Sequence, residues 1–163
     1  MQNIKKDVLE LLEKDSRLTN DQLAKLLNVS AEEIKEIIEQ LERDNIILRY
    51  STIINWEKHG CQKVTAMIEV NITPQREVGF DKIAERIYRF PQVKSVYLVS
   101  GSYDLCVIIE DDTMQGVSRF VAEKLAPLEH VNGTKTNFIM KRYKEDGVIF
   151  TGEDTDKRLE VIP

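Results

Sequence analysis

The fold is decided between residues 19 and 47, where the chain reads TNDQLAKLLNVSAEEIKEIIEQLERDNII. Leucines at helical spacing follow Thr19, which forms a capping box with Gln22. Asn28 then offers a residue that tolerates the left-handed backbone of a tight turn, and Ser30 opens a second capping box and a second amphipathic helix. The pattern predicts two short helices joined by a tight turn.

The flanking residues extend this unit on both sides. Apolar residues at 4, 8, 11 and 12 predict an amphipathic helix before it. After it, residues 46–48 and 53–54 predict two short strands around Arg49-Tyr50-Ser51, a wing. Three helices with a tight turn between the second and third are typical of a winged helix-turn-helix, and an ordinary three-helix bundle is the alternative.

The outward face of the helix after Ser30 is acidic. A helix that enters the major groove must neutralise phosphate charge and offer donors to guanine, which is the chemistry of arginine and lysine. The face therefore fits either a weak DNA contact or a solvated surface. The residues predicted to contact DNA are Lys25, Ser30, Glu32, Lys35, Glu36, Glu39, Gln40, Arg43 and Arg49.

Composition restricts the class of protein. The chain has 163 residues and a net charge of −5, and no apolar run approaches the length needed to cross a bilayer. Its first residues lack a signal peptide, so we expect a cytoplasmic protein without a membrane partner. Cys61 and Cys106 lie in apolar contexts that predict buried free thiols. Neither a CxxC nor an HExxH spacing occurs, and we expect no metal and no cofactor.

Beyond a short hinge at residues 56–60, strand and helix patterns alternate. The order is βαββαβ, which predicts an α+β, ferredoxin-like domain. One face of such a sheet is left without helices, and a second copy of the chain is the simplest cover, so we expect a homodimer. The strands are predicted at 64–72, 93–99, 105–109 and 134–143, and the helices at 80–88 and 117–125.

These elements divide the chain into three parts. Residues 1–60 are predicted to form the winged helix-turn-helix with its wing and hinge, and residues 61–144 the ferredoxin-like domain. Residues 145–163 form a C-terminal tail, whose apolar residues 148–150 fit either a contact with a dimer partner or a frayed terminus.

A turn between two predicted strands offers ligand chemistry. Gly101 allows the backbone to turn sharply or a ligand to approach closely. Exposed amides there can bind a carboxylate, and Asp104 can pair with an ammonium, which together suit a zwitterionic amino acid. A hairpin turn whose aspartate caps its own loop is the alternative.

The helix-turn-helix, the wing, the βαββαβ order and the Gly-Ser-Tyr-Asp turn together resemble the Lrp/AsnC family of feast/famine regulators, up to about Lys144. The resemblance implies a DNA-binding N-terminal domain and a RAM-type domain that dimerises, often assembles into tetramers or octamers, and binds amino acids at subunit interfaces. The effector-binding residues it implies are Ser100, Gly101, Ser102, Tyr103 and Asp104, with Thr134 and Thr136 on the last strand. Recognition helices of the family usually carry Arg and Lys, whereas Glu36, Ile37, Glu39 and Gln40 stand at those positions here.

The sequence thus predicts an effector-responsive, DNA-binding transcriptional regulator that senses an amino acid-like molecule at an oligomer interface. One alternative is a ligand-sensing or oligomerisation module whose helix-turn-helix contacts protein. Another is an enzyme similar to sirohaem decarboxylases, which share the two-domain architecture. Catalysis of that kind needs positioned side chains such as histidine, and only His59 and His130 are present, so we expect no enzyme.

Overall fold

The structure is a computed structural model and describes residues 4–61, 63–73 and 79–150. Within these ranges the chain divides into two compact units, residues 4–54 and 55–150. None of the helices in the described ranges is long and apolar enough to cross a membrane. The division at 60/61 drawn from the sequence stays a prediction, as does the tail, of which residues 151–163 lie outside the described ranges.

Three helices form the first unit: α1 at Ile4–Lys14, α2 at Asn20–Leu27 and α3 at Ala31–Arg43. The capping box before α2 is confirmed, because Thr19 Oγ1 accepts from the Gln22 N–H at 3.3 Å and Gln22 Oε1 accepts from the Thr19 N–H at 2.9 Å. Ser30 Oγ accepts from the Glu33 N–H at 3.1 Å, which caps α3. Asn28 lies between the helices with a φ of 57°, the left-handed conformation expected for it.

The apolar stripes of the three helices meet in one core. Ile34 and Leu41 contribute the buried face of α3, while Ile37 and Ile38 are half-buried beside them. This confirms the inward face predicted for the helix and leaves its charged residues outside. The buried members of the core are Val8, Leu12, Leu23, Ala24, Ile34 and Leu41.

The two strands predicted for the wing are wrong. Residues 46–54 form no strand in the structure. The segment is bonded to α3 and to the turn after α1: Tyr50 Oη donates to Glu42 Oε1 at 2.9 Å, and Ser16 Oγ donates to the Ser51 carbonyl at 3.3 Å. An isolated two-stranded ribbon has little stability of its own, and Leu48 lies 82% exposed with nothing to bury it.

The second unit is built on a four-stranded antiparallel sheet in the order β2-β3-β1-β4, which confirms the ferredoxin-like prediction. β1 is central and pairs with β3 on one side and β4 on the other. The elements are β1 at Val64–Ile72, α4 at Gly79–Tyr88, β2 at Val93–Leu98, β3 at Leu105–Asp111, α5 at Met114–Phe120 and β4 at Val131–Phe138.

Both helices cover the same face of the sheet. Alternate residues of β1, namely Ala66, Ile68, Val70 and Ile72, are buried against the helices together with alternate residues of β3. The residues between them lie on the other face, which we call the open face. Its members are Thr65, Met67, Glu69 and Asn71 of β1, Cys106, Ile108 and Glu110 of β3, Ser95 and Tyr97 of β2, and Gly133, Lys135 and Asn137 of β4.

A π-helical turn at Val121–Leu125 continues α5, so the helix predicted at 117–125 begins earlier and ends in a wider turn. The Ala126 N–H donates to the Val121 carbonyl at 2.8 Å, which spans five residues. Leu125, the last residue of the turn, is fully buried in the core of the sheet. The wide turn holds one residue more than a regular helical turn, and with it the Leu125 side chain lies on the inward face.

The strand predicted near the C-terminus needs correction. β4 begins at Val131 and ends at Phe138, whereas the sequence predicted 134–143. Further along the chain, β5 at Lys144–Glu145 pairs with β6 at Val148–Ile149 and forms a small hairpin. Arg142 joins this hairpin to the open face, since its guanidinium lies 3.0 Å from Glu145 Oε2 and donates to Thr65 Oγ1 at 3.4 Å. Ile139 and Met140 are exposed, Met140 to 84%, so the apolar run past Phe138 has no core to pack against and does not continue as strand.

Replacing Thr19 with alanine should destabilise α2 by about 1 kcal/mol, because the Gln22 amide loses its acceptor. The measurement is native-state amide hydrogen exchange of the α2 residues. Thr52→Ala is the matched control, since Thr52 is exposed in the same unit. Equal exchange rates in the two variants would show that the capping box does not hold the helix.

Candidate DNA-contacting face and effector site

The outward face of α3 is exposed and largely neutralised within the helix. Lys35 Nζ lies 3.9 Å from Glu39 Oε1, and Arg43 Nη1 lies 3.7 Å from Glu39 Oε2. One carboxylate thus faces both basic side chains of the helix. The remaining predicted residues of the face, Glu32, Glu36 and Gln40, are exposed.

Two other residues predicted to contact DNA form no ion pair with a carboxylate among the described residues. Lys25, in the last turn of α2, and Arg49, after α3, are exposed and have no carboxylate within ion-pair distance among the described residues. Ser30 is occupied as the cap of α3. Near Arg49, burial raises the pKa of the Tyr50 hydroxyl, and its hydrogen bond to Glu42 raises that pKa further. The phenol therefore stays a neutral donor to Glu42.

The predicted effector turn lies at one end of the sheet, where Asp104 is already engaged. Its Oδ2 accepts from the Ile72 N–H at 2.7 Å, and its own N–H donates to the Val70 carbonyl at 3.0 Å. The turn itself is closed by the Val99 N–H, which donates to the Asp104 carbonyl at 2.8 Å. Asp104 therefore ties the turn to the end of β1 as well as closing its own loop.

The rest of the turn is more open. Ser100, Gly101 and Ser102 are exposed, and Tyr103 is half-buried. Gly101 does not use a positive φ, and a Cβ there would meet only Val99 Cγ1 at 3.7 Å, an ordinary contact. The turn thus gives no steric reason for glycine at position 101 within this chain, and the approach of a ligand there stays a prediction.

Tyr103 points toward the buried thiol of Cys106. Burial raises the pKa of Cys106, the hydrogen bond from Tyr103 lowers it, and the charge of Glu69 raises it. Because Cys106 belongs to the open face, Tyr103 links the turn to that face. Cys61, in contrast, is exposed, so the burial predicted for it is wrong, although both thiols are free.

Thr134 and Thr136 lie on β4, directly opposite Val70 and Ile68. This register places them, half-buried, on the helix-covered face. The Gly-Ser-Tyr-Asp turn and the two threonines are therefore separated by β1 and do not form one cluster within a single chain.

A polar cluster on the open face escaped the sequence reasoning. Glu69 Oε1 accepts from Asn137 Nδ2 at 3.0 Å and lies 3.3 Å from Lys135 Nζ. The side chain of Glu69 is only 18% exposed. A charged residue between Ile68 and Val70 in an otherwise apolar strand was the signal that could have found it.

The two histidines occupy separate loops. His59 Nδ1 lies 3.5 Å from Cys61 Sγ, and the His59 ring meets Trp56 edge-on at 5.9 Å. His130 precedes β4 with a φ of 74°, and its Nε2 lies 3.6 Å from Glu129 Oε1. Neither belongs to a group of metal-ligating side chains within the part of the chain that the structure describes.

Comparison with protein families matches both units. The Lrp/AsnC ligand binding domain matches residues 65–149, and a winged helix-turn-helix DNA-binding domain matches residues 1–47. The chain belongs to the Lrp/AsnC family. The family named from the sequence is therefore confirmed, together with its two-domain fold.

Relatives in this family are described as regulators of transcription. The HTH-type transcriptional regulator YugG of Bacillus subtilis is 49% identical over 158 residues, which cover 96% of this chain and 95% of YugG. LysM of Saccharolobus solfataricus, also an HTH-type transcriptional regulator, is 31% identical over 136 residues, covering 83% of this chain and 91% of LysM.

Solved structures of the Lrp/AsnC family share the fold. A transcriptional regulator of Neisseria meningitidis in complex with L-Met superposes with a TM-score of 0.72 at 23% identity, covering 89% of this chain and 93% of that one. AsnC of Escherichia coli superposes with a TM-score of 0.69 at 17% identity, covering 89% and 95%. This Lrp/AsnC chain is thus a transcriptional regulator with a DNA-binding and a ligand-binding domain.

The hydrogen bond from the Ile72 N–H to Asp104 leads to a prediction about the stability of this Lrp/AsnC domain. Asp104→Ala should lower the free energy of unfolding of the second unit by about 1–3 kcal/mol, because a backbone amide loses a charged acceptor. Asp104→Asn keeps an oxygen in place and should cost less. Chemical unfolding followed by the fluorescence of Trp56 measures both variants. An alanine variant as stable as the parent would mean that Asp104 does not support β1.

Proposed function

We propose that this Lrp/AsnC protein senses an amino acid-like effector at the turn 100–104, within an oligomer whose assembly the effector influences. The observation that carries the proposal is the position of the turn. It lies in the ligand-binding domain, it exposes the backbone at Ser100–Ser102, and it holds a carboxylate beside them. Exposed amides and a fixed carboxylate are complementary to the two charges of a zwitterion.

Asp104 has capacity for a ligand. Its Oδ2 serves the Ile72 amide, while its Oδ1 makes no hydrogen bond among the described residues. A carboxylate can accept several hydrogen bonds, so an ammonium can pair with Asp104 without displacing the bond to β1. The complex of the Neisseria meningitidis relative with L-Met supports an amino acid as the chemical class.

Thr134 and Thr136 fit this proposal only through assembly. They lie on the other side of β1 from the turn, so one chain does not bring them to Asp104. A site at an interface between subunits allows one chain to offer its turn and another to offer further polar groups. The oligomer interface is for this reason part of the proposed site.

A thermal-shift screen of the amino acids tests the effector. At a concentration about 100 times the dissociation constant, a true ligand should stabilise the protein by about 2.7 kcal/mol. Asp104→Asn should keep the fold but lose most of the shift, since the amide retains an acceptor and loses the negative charge. A full shift in that variant would place the ammonium elsewhere, and no shift with any amino acid in the parent would sink the proposed effector class.

A homodimer through the open face is the second part of the proposal. Met67 and Ile108 lie opposite each other at the middle of this face and are only half-buried within one chain. Around them lie the polar pair Glu69–Lys135 and the exposed Tyr97. A mixture of apolar and polar groups of this kind is typical of interfaces between subunits. We further propose that such dimers assemble into tetramers or octamers.

Ile108→Arg should convert the dimer into a monomer, because it places a charge at the centre of the proposed interface. Ser118→Arg, on the exposed side of α5, is the matched control and should leave the dimer intact. Size-exclusion chromatography with light scattering measures both. A parent protein that is monomeric at micromolar concentration would contradict the dimer.

DNA contact is proposed for the α2–α3 unit as a whole. The unpaired Lys25 and Arg49 supply phosphate contacts, while Lys35 and Arg43 on α3 supply weaker ones because both already face Glu39. Several copies in one oligomer multiply such contacts. This favours the DNA-binding interpretation over a helix-turn-helix that binds protein, and a cytoplasmic location is part of the same proposal.

A further inference from the structure

One carboxylate in α3 faces both cations that the helix could offer to DNA. Glu39 lies one turn after Lys35 and one turn before Arg43, and its two oxygens divide between them: Oε1 toward Lys35 and Oε2 toward Arg43. The ion pairs lie on the surface, with Lys35 and Arg43 about two-thirds exposed and Glu39 about half exposed. DNA that approaches this face therefore meets the two cations with their charge already matched by Glu39.

A phosphate must compete with Glu39 for each of these cations. Surface ion pairs are weak, so the competition is not blocked, but every contact formed costs one pair and brings the phosphate near the freed carboxylate. Two effects therefore weaken DNA binding: the ion pairs with Glu39 are broken, and the freed carboxylate then repels the phosphate.

We propose that Glu39 sets the strength and the salt dependence of DNA binding by holding Lys35 and Arg43 away from phosphate. This inference rests on the proposed contact between α3 and DNA. Glu39 is a positioning residue here: it touches the two cations rather than the DNA. The acidity of the helix is thus not spread evenly over its face, because one residue carries most of its effect.

Glu36 shows why position matters more than charge. It is an exposed glutamate on the same face of α3, one turn before Glu39, and it makes no ion pair within the described residues. Removing either charge lessens the repulsion of phosphate by a similar amount. Only removal of the Glu39 charge also releases Lys35 and Arg43.

The experiment compares Glu39→Gln with Glu36→Gln, which are isosteric and change the charge equally. Binding of a fluorescein-labelled, mixed-sequence DNA duplex is followed by anisotropy over a series of KCl concentrations. Each released pair should add up to about fivefold in affinity at low salt, so the two pairs together should let Glu39→Gln exceed Glu36→Gln by up to about 25-fold. Its plot of log K against log salt should also be steeper by up to about 1.8, the limit for two complete phosphate contacts, because Lys35 and Arg43 make only weaker contacts in the parent.

A second set of variants separates release of the cations from any other effect. In a background of Lys35→Gln with Arg43→Gln, the two glutamate substitutions should raise affinity equally, because nothing remains for Glu39 to hold. An advantage of Glu39→Gln that persists in this background would overturn the proposal. Circular dichroism of each variant confirms that α3 is intact.

The remaining outcomes are distinguishable. Equal gains and equal salt slopes for Glu39→Gln and Glu36→Gln in the parent background would overturn the role of Glu39 and leave DNA binding standing. No binding by the parent or by any variant, even at the lowest salt, would overturn the proposed DNA contact and with it the role of Glu39.

Discussion

The second unit depends on β1, one of the two central strands of its sheet. β1 pairs with β3 through residues 64–70 and with β4 through residues 66–72, and its alternate side chains fill the core beneath the helices. Pairing with β3 ends at Val70, which leaves the amide of Ile72 on that side without a strand partner. Asp104 supplies the missing acceptor, so a side chain from the neighbouring turn completes the end of the central strand.

This constraint connects stability to recognition. A buried amide without an acceptor is costly, which requires an oxygen at position 104 whether or not a ligand binds. The same carboxylate is the only acidic group of the turn 100–104. The hydrogen bond to Ile72 therefore holds the Asp104 carboxylate in one position before any ligand binds. Little side-chain conformational entropy is then lost when a ligand binds to it.

Much of the fold was predictable because local signals and burial agreed. The cap at Thr19, the left-handed Asn28 and the isoleucine stripe of α3 all belong to one short stretch, where spacing alone decides the structure. The alternation in residues 64–72 likewise gave both bounds of β1. The prediction of the wing strands failed because strand pairing needs a partner that the sequence does not specify; Ile47 packs against the helical core instead, and the other apolar residues of the segment are exposed.

The candidate sites were predictable in composition but not in arrangement. The turn was found from its glycine and aspartate, yet the bond from Asp104 to Ile72 joins residues 32 apart in sequence. The register that sends Thr134 and Thr136 to the helix-covered face is set by their pairing with Val70 and Ile68 of β1, more than 60 residues away in sequence. On α3, by contrast, the spacing of Lys35, Glu39 and Arg43 already contained the ion pairs, because side chains four apart are neighbours on a helix.

The π-helical turn after α5 has a consequence for how this chain tolerates changes in length. The turn holds one residue more than a regular helix needs between Val121 and Ala126. Deleting Ala122, Glu123 or Lys124 would restore regular helical bonding and leave the residues after the turn in place, because the wide turn absorbs one residue locally. Leu125 itself is fully buried in the core of the sheet, so its side chain must be kept. The turn should for this reason tolerate a change in length by one residue, although a sequence pattern shows only an ordinary helix there.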